Sequence, residues 1–287
     1  MSCHTLQSLA SPIVPTWCPG CGDFLILNSL KKAIVDLQLE EKDTLIVYGI
    51  GCSGNMADFN RVYGFHGLHG RGLANAIGIK LANHKLKVIV IGGDGDIYGE
   101  GIQHLITAAR GNHDLTLIVH NNSRYSLTTG QTSPTSKKGQ KTKSTPMGAI
   151  EEPINPLALA LVNKATFVAR GYSVQVPQML ELFKQAITHP GFALVDVLQL
   201  CPTFNQEMNH PWYAQRIYTL DQSNHNPQDF AQALGKTLEP EKMATGIFYQ
   251  DLTSVPHHAQ LPQLKQASLI EQRPTQVDLQ SVINSFS

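Results

Sequence analysis

The sequence predicts an α/β fold: a doubly wound, mostly parallel sheet with a long lid loop and an irregular carboxy-terminal segment. Three observations predict it. Four short runs rich in β-branched and aliphatic residues, at 44–50, 87–92, 115–120 and 193–200, read as strands buried on both faces. Helical patterns lie between them, and strand alternating with helix is the pattern of a parallel sheet covered on both sides. Each run then ends in glycine, cysteine or asparagine, where open α/β sheets bind their ligands.

Taken in order, residues 23–38 come first. Phe24, Leu27, Leu30, Ile34 and Leu37 recur there at three- and four-residue steps behind Asp23, a residue type suited to capping a helix. Further helices are predicted at 72–83, 101–110, 156–170 and 177–189. Residues 123–153 break the alternation with Ser, Thr, Gly, Pro and Lys and little periodicity. A loop of that length in a compact domain is commonly a functional lid or disordered. Beyond Cys201 the chain turns polar and irregular apart from a short helix near 227–238. The expected organisation is therefore an α/β unit over 1–205 and an extension over 206–287 that packs on a partner. A chain of 287 residues accommodates this, because single cores stop growing at about that size.

Composition excludes several classes. Lysine plus arginine equals aspartate plus glutamate at 22 each, so no overall field draws nucleic acid or an anionic membrane. The first residues carry no cationic segment followed by an apolar stretch, and no window approaches the roughly 18 apolar residues of a spanning helix. A cytoplasmic protein is expected. Five cysteines, at 3, 18, 21, 52 and 201, are too few and too scattered for a disulfide scaffold, which points to metal or redox chemistry.

The strand ends carry the chemistry. Residues 44–50 run into Gly51-Cys52-Ser53-Gly54, 87–92 into Gly93-Asp94-Gly95-Asp96, 115–120 into Asn121-Asn122, and 193–200 into Cys201-Pro202. In a parallel sheet all four lie at one edge. The glycines of Gly93-Asp94-Gly95 let backbone N–H groups approach a phosphate, and a helix starting near 101 adds its positive end. Asp94 and the Asn122 side chain supply hard oxygens of the kind that Mg²⁺ takes when it bridges protein to phosphate. The pattern reads as a diphosphate held through magnesium. There is no G-x-x-x-x-G-K-[ST] for an ATP-type loop, and no G-x-G-x-x-G opens a helix after the first strand as a nicotinamide-binding fold requires.

The Gly-Asp-Gly, spacer and Asn-Asn arrangement resembles the thiamine-diphosphate motif. Within that superfamily, Cys18-Pro19-Gly20-Cys21-Gly22 is similar to the amino-terminal signature of 2-oxoacid:ferredoxin oxidoreductase β subunits. The runs Gly49–Gly54, Phe65–Arg71 and Leu127–Thr135 look like that family too, so the resemblance covers residues 12 to 205. It implies thiamine diphosphate, Mg²⁺ and one [4Fe–4S] cluster, and a sheet of the thiamine-diphosphate-binding type. It places Ile50, Gly51, Cys52, Ser53, His69, Gly95, Asp96, Ser126 and Leu127 against the cofactor, and makes the Arg124 backbone carbonyl a third magnesium ligand.

Four thiolates are what such a cluster requires, and the resemblance assigns Cys18, Cys21, Cys52 and Cys201. From the residues alone a Cys₄ zinc site stays open. A thioredoxin-like site at Cys18–Cys21 lacks the preceding strand of a βαβ unit. Cys3 reads as a bystander, and His66, His104, His113 and His120 are given no role.

The implied activity is oxidative decarboxylation of a 2-oxoacid with coenzyme A, electrons leaving through the cluster to ferredoxin. The implied partner is an α subunit, with γ and δ subunits in larger assemblies. That partner is expected to supply the carboxylate that activates the aminopyrimidine. Two departures bear on substrate: Thr129 and Asn55 stand where basic residues are common in 2-oxoglutarate-type members. The competing readings are a non-redox thiamine-diphosphate decarboxylase or carboligase with structural zinc, and a non-catalytic assembly subunit.

Overall fold

The computed structural model describes residues 3–272 and 279–286; the expected units reach beyond these at residues 1–2, 273–278 and 287. Eight strands form one sheet in the order β2-β1-β3-β4-β8-β7-β10-β9. These are β1 (Thr44–Tyr48), β2 (Tyr63–His66), β3 (Lys87–Gly93), β4 (Thr116–Asn121), β7 (Phe167–Tyr172), β8 (Ala193–Leu198), β9 (Ile217–Thr219) and β10 (Met243–Gln250). All neighbours pair in parallel except β10 with β7. A small hairpin, β5 (Arg124–Tyr125) and β6 (Gln131–Thr132), stands apart from the sheet.

The side-chain period of two sorts each strand onto two cores. Ile46, Ile89, Ile91 and Val195 face α1 (Asp23–Asp36) and α5 (Val176–Thr188). Val47, Val88, Val90 and Leu194 face the other layer, which contains α2 (Gly72–Ala82), α3 (Ile102–Gly111), α4 (Pro156–Val162) and α7 (Phe230–Thr237). No helix among the described residues is long and apolar enough to cross a membrane.

The structure departs from the sequence reading at β2 and at the β5–β6 hairpin, neither of which was expected as a strand, and in three further places. The helix expected over 156–170 stops at Val162, because Lys164 takes a left-handed φ of 71°, and residues 167–172 instead form the buried strand β7. Asp23 does not cap α1. Gly22 is the N-cap without a side-chain bond, while Asp23 is fully buried and its carboxylate meets His120 Nδ1 at 2.5 Å. The segment after Cys201 is irregular only in part: α6 (His210–Ala214), β9, α7 and β10 precede the stretch of short turns that begins near 251. Phe248 on β10 is fully buried in the α2-side core, so this segment shares the core of the main sheet.

Candidate active site

Turns at the carboxyl edge build the site. In Cys18-Pro19-Gly20-Cys21, Pro19 sets one φ and Gly20 takes φ 81°, and the Cys21 N–H donates to the Cys18 carbonyl at 3.0 Å, closing a tight turn with both thiols at one end of α1. Gly51, at φ 109°, turns β1 toward Cys52 and Ser53. After β3, Gly95 opens a π-helical turn, and a methyl group there would collide with the Tyr125 ring. The glycine is needed because the β5–β6 hairpin packs directly on it.

These turns enclose a pocket of about 80 Å³. All nine residues expected against the cofactor line it, together with Asp94, Asn122 and Arg124. Asp94 is buried, with Oδ2 accepting from the Ser133 and Thr135 hydroxyls at 2.5 and 2.6 Å, and Oδ1 has no hydrogen-bond partner. Burial raises its carboxyl to about 6, against the hydrogen bonds that favour the anion. Ser53 Oγ is also buried without a partner. A held carboxylate with one open oxygen fits a small hard cation, because an unmatched buried acceptor is otherwise costly. Asn122 is fixed by donating to Gln199 Oε1 at 2.6 Å and accepting from the Arg124 N–H at 3.0 Å. Asp96 receives the Gly70 N–H at 2.7 Å and lies 3.0 Å from His69 Nδ1, and burial raises its carboxyl.

Next to it lies a cavity of about 160 Å³ lined by all four cysteines of the expected set, Cys18, Cys21, Cys52 and Cys201. Cys52, Asn122, Ser126, Leu127 and Gln199 line both cavities. No three His, Cys, Asp or Glu side chains among the described residues are grouped to hold one ion. Burial, then Asp23, pushes the Cys52 thiol up to about 12 and the Cys21 thiol well above its ordinary value. Bound iron would reverse this, since metal coordination deprotonates a thiol outright. Four thiols lining one cavity are a donor set that fits an iron–sulfur cluster.

Comparison with known proteins gives the family. The family model for the thiamine pyrophosphate enzyme C-terminal TPP-binding domain matches residues 49–197, and that for the C-terminal region of the pyruvate ferredoxin oxidoreductase beta subunit matches 201–266. The 2-oxoacid:ferredoxin oxidoreductase subunit beta of Saccharolobus solfataricus is 48% identical over 248 residues, 82% of this chain and 81% of the relative. This chain belongs to the 2-oxoacid:ferredoxin oxidoreductase β-subunit family. Subunit beta of oxidoreductase 1 from Aeropyrum pernix is 40% identical over 285 residues, 96% of this chain and 90% of that one. A solved 2-oxoglutarate:ferredoxin oxidoreductase from Magnetococcus marinus, with 2-oxoglutarate, coenzyme A and succinyl-CoA bound, superposes with a TM-score of 0.90 at 33% identity, covering 99% of this chain and 96% of that chain.

Three pocket residues escaped the sequence reading. His120 is buried against Asp23, with Nε2 unpartnered at the pocket wall. Gln199 lies 3.2 Å from Cys21 Sγ and also holds Asn122. Tyr125 packs on Gly95 and accounts for its lack of a side chain. Asn55 lines the cysteine cavity, whereas Thr129 is exposed at a positive φ of 78° and lines neither cavity.

Proposed function

We propose that this chain is the thiamine-diphosphate-binding, iron–sulfur β subunit of an enzyme that oxidatively decarboxylates a 2-oxoacid with coenzyme A, passing electrons through a [4Fe–4S] cluster to ferredoxin. The observation that carries the reading is the shared wall. A pocket with an open Asp94 oxygen abuts a four-cysteine cavity across Cys52, Asn122, Ser126, Leu127 and Gln199.

In this reading Asp94, Asn122 and the Arg124 carbonyl hold Mg²⁺, and Ser133 and Thr135 aim the Asp94 carboxylate. Ile50, Gly51, Cys52, Ser53, His69, Gly95, Asp96, Ser126 and Leu127 shape the cofactor pocket. Thiamine diphosphate supplies the carbon nucleophile and electron sink for decarboxylation. The cluster, on Cys18, Cys21, Cys52 and Cys201, supplies a one-electron acceptor beside it. Trp17 Nε1 donates to the Cys52 carbonyl at 2.7 Å and Ser126 Oγ lies 3.3 Å from Cys201 Sγ, so both fix ligand orientation.

Of the two carboxylates lining the pocket, Asp94 is held at Oδ2 by hydroxyls and Asp96 at Oδ1 by Gly70 and His69, while Asp94 Oδ1 and Asp96 Oδ2 have no hydrogen-bond partner among the described residues. In keeping with the family resemblance, the carboxylate that activates the aminopyrimidine comes from an α subunit, and the chain works in the cytoplasm as part of an αβ unit. The guanidinium of Arg124, the lone cationic lysine or arginine lining the pocket, is tied to the Ser123 and Phe204 carbonyls. With Asn55 lining the cysteine cavity where a basic residue is common, a small or apolar 2-oxoacid fits this chain as well as 2-oxoglutarate does, and the α subunit contributes to the choice.

Anaerobic purification tests the reading. A brown protein with about four iron atoms per chain is expected. A colourless protein that carries zinc and is fully active with its partner would overturn the cluster assignment.

A further inference from the structure

On the α4 and α7 side of the sheet, away from α1 and the cysteines, a cavity of about 760 Å³ opens above the carboxyl ends of β4, β8 and β7. That volume falls within the range of small-molecule sites. Five cationic side chains line it, Lys137, Arg170, Arg216, Lys236 and Lys242, against two carboxylates, Glu239 and Glu241.

What holds each cation separates them. Lys236 is paired with Glu239 at 2.8 Å, and Arg170 Nε with buried Asp196 at 3.1 Å. Among the described residues, Lys137, Arg216 and Lys242 form no ion pair. Arg216 Nη1 donates to the Trp212 carbonyl at 3.0 Å and Lys242 Nζ to the Gln215 carbonyl at 3.2 Å. Lys137 and Arg216 both stand on the Trp212 ring, at 4.2 and 4.4 Å from its centroid. Burial, then the nearby Arg216 charge, lowers the proton affinity of Lys137. The guanidinium of Arg170 keeps its two terminal amino groups without a protein acceptor among the described residues, while Asp196 anchors the side chain from below.

We propose that this cavity is a second ligand site, for a small polyanion carrying two or more phosphate or carboxylate groups. Cations outnumber the carboxylates in this lining, with Glu207 acting on Lys137 from outside it, and a multiply charged anion relieves several of the unpaired cations at once through charge-assisted bonds. A monoanion would reach one cation and leave the others. The Trp212 ring is already covered by Lys137 and Arg216, so recognition rests on charge and not on stacking of an aromatic ligand.

The floor ties this site to the first. Asn121, Ser123 and Thr135 line the cavity, and Thr135 Oγ1 lies 2.6 Å from Asp94 Oδ2 and 2.9 Å from Asn121 Oδ1. Its single proton serves one of the two, so the cavities are separated by one hydroxyl.

Calorimetry on the chain assembled with its partner subunit, saturated with thiamine diphosphate and Mg²⁺ so that the first pocket is filled, tests the proposal with ADP and with citrate as probes. Saturable one-to-one binding is expected for at least one probe. The double variant Arg216→Ala and Lys242→Ala should weaken it on the order of tenfold or more, and Lys138→Ala, which removes an exposed lysine outside the cavity, should leave it unchanged. Binding of ADP alone assigns phosphate chemistry and binding of citrate alone assigns carboxylate chemistry. Absence of saturable binding of either probe, or binding that the double variant leaves intact, would overturn the site. Probes that bind the isolated chain but not the complex would overturn it too, because a partner segment then fills the cavity.

Discussion

Asp94 concentrates the chemistry of the first pocket into one side chain, and its environment makes its behaviour predictable. Two hydroxyls hold Oδ2 and nothing among the described residues meets Oδ1, so in the proposed reading removing the carboxylate removes the metal bridge to the diphosphate. Asp94→Ala should abolish the magnesium dependence of thiamine diphosphate binding measured by calorimetry. Unchanged affinity would mean that the diphosphate sits elsewhere. Thr135→Val, which only releases the aim of Oδ2, should weaken Mg²⁺-dependent binding by about 10–100-fold, the usual cost of losing an outer partner of a metal ligand. The pH dependence follows from the raised carboxyl. The folded value, about 6, lies above the ordinary 3.8, so the metal-free fold is favoured by the protonated form and loses that contribution as pH rises through about 6. Magnesium must displace this proton, so its affinity should fall as pH drops below about 6; a flat profile from pH 5 to 7 would contradict the assignment.

Elements with a strong local signature were legible, and those whose identity depends on distant packing were not. Residues 44–50 and 87–92 announced themselves as aliphatic runs ending in glycine, and the strands fall there. The strand at 167–172 was hidden because Leu157, Leu161 and Ala165 continue a helical spacing into it; only the left-handed turn at Lys164 breaks the helix. Asp23 looked like a cap because Asp commonly is one, yet its partner His120 lies 97 residues away on β4. The site was legible wherever glycine spacing, acid or cysteine encoded it locally. His120, Gln199 and Tyr125 sit close to marked positions, Asn121, Cys201 and Ser126, but their roles come from partners distant in sequence, Asp23, Cys21 and Gly95, which spacing does not reveal. Strand β10 was missed for a similar reason: its alternation is broken by Gly246, which takes φ 119° against Leu220, near the register shift at Ile247 and Tyr249. Its burial has an energetic consequence. Phe248→Ala should cost about 3–5 kcal/mol in urea unfolding of the metal-free chain, and a loss below about 1 kcal/mol would show that β10 is not part of the cooperative core.

At the scale of the whole molecule, the chain carries one side of a reaction centre. In the proposed reading it brings an open Asp94 oxygen for a metal, a glycine turn for a diphosphate and a four-cysteine cavity one wall away, and a partner subunit brings the rest. Apolar groups near the pocket mouth, Phe65 on β2 together with Leu68 and Leu127, are 46%, 78% and 51% exposed, which suits a surface that a partner covers. A reaction centre shared between two subunits is tested most sharply by the rate at which 2-oxoacid and coenzyme A together reduce a viologen dye under anaerobic conditions, with thiamine diphosphate and Mg²⁺ supplied. No turnover is expected from this chain alone, and turnover of the order of 1–10³ s⁻¹ is expected when the partner subunit is mixed in. Turnover at that rate by the purified chain alone would contradict the shared centre.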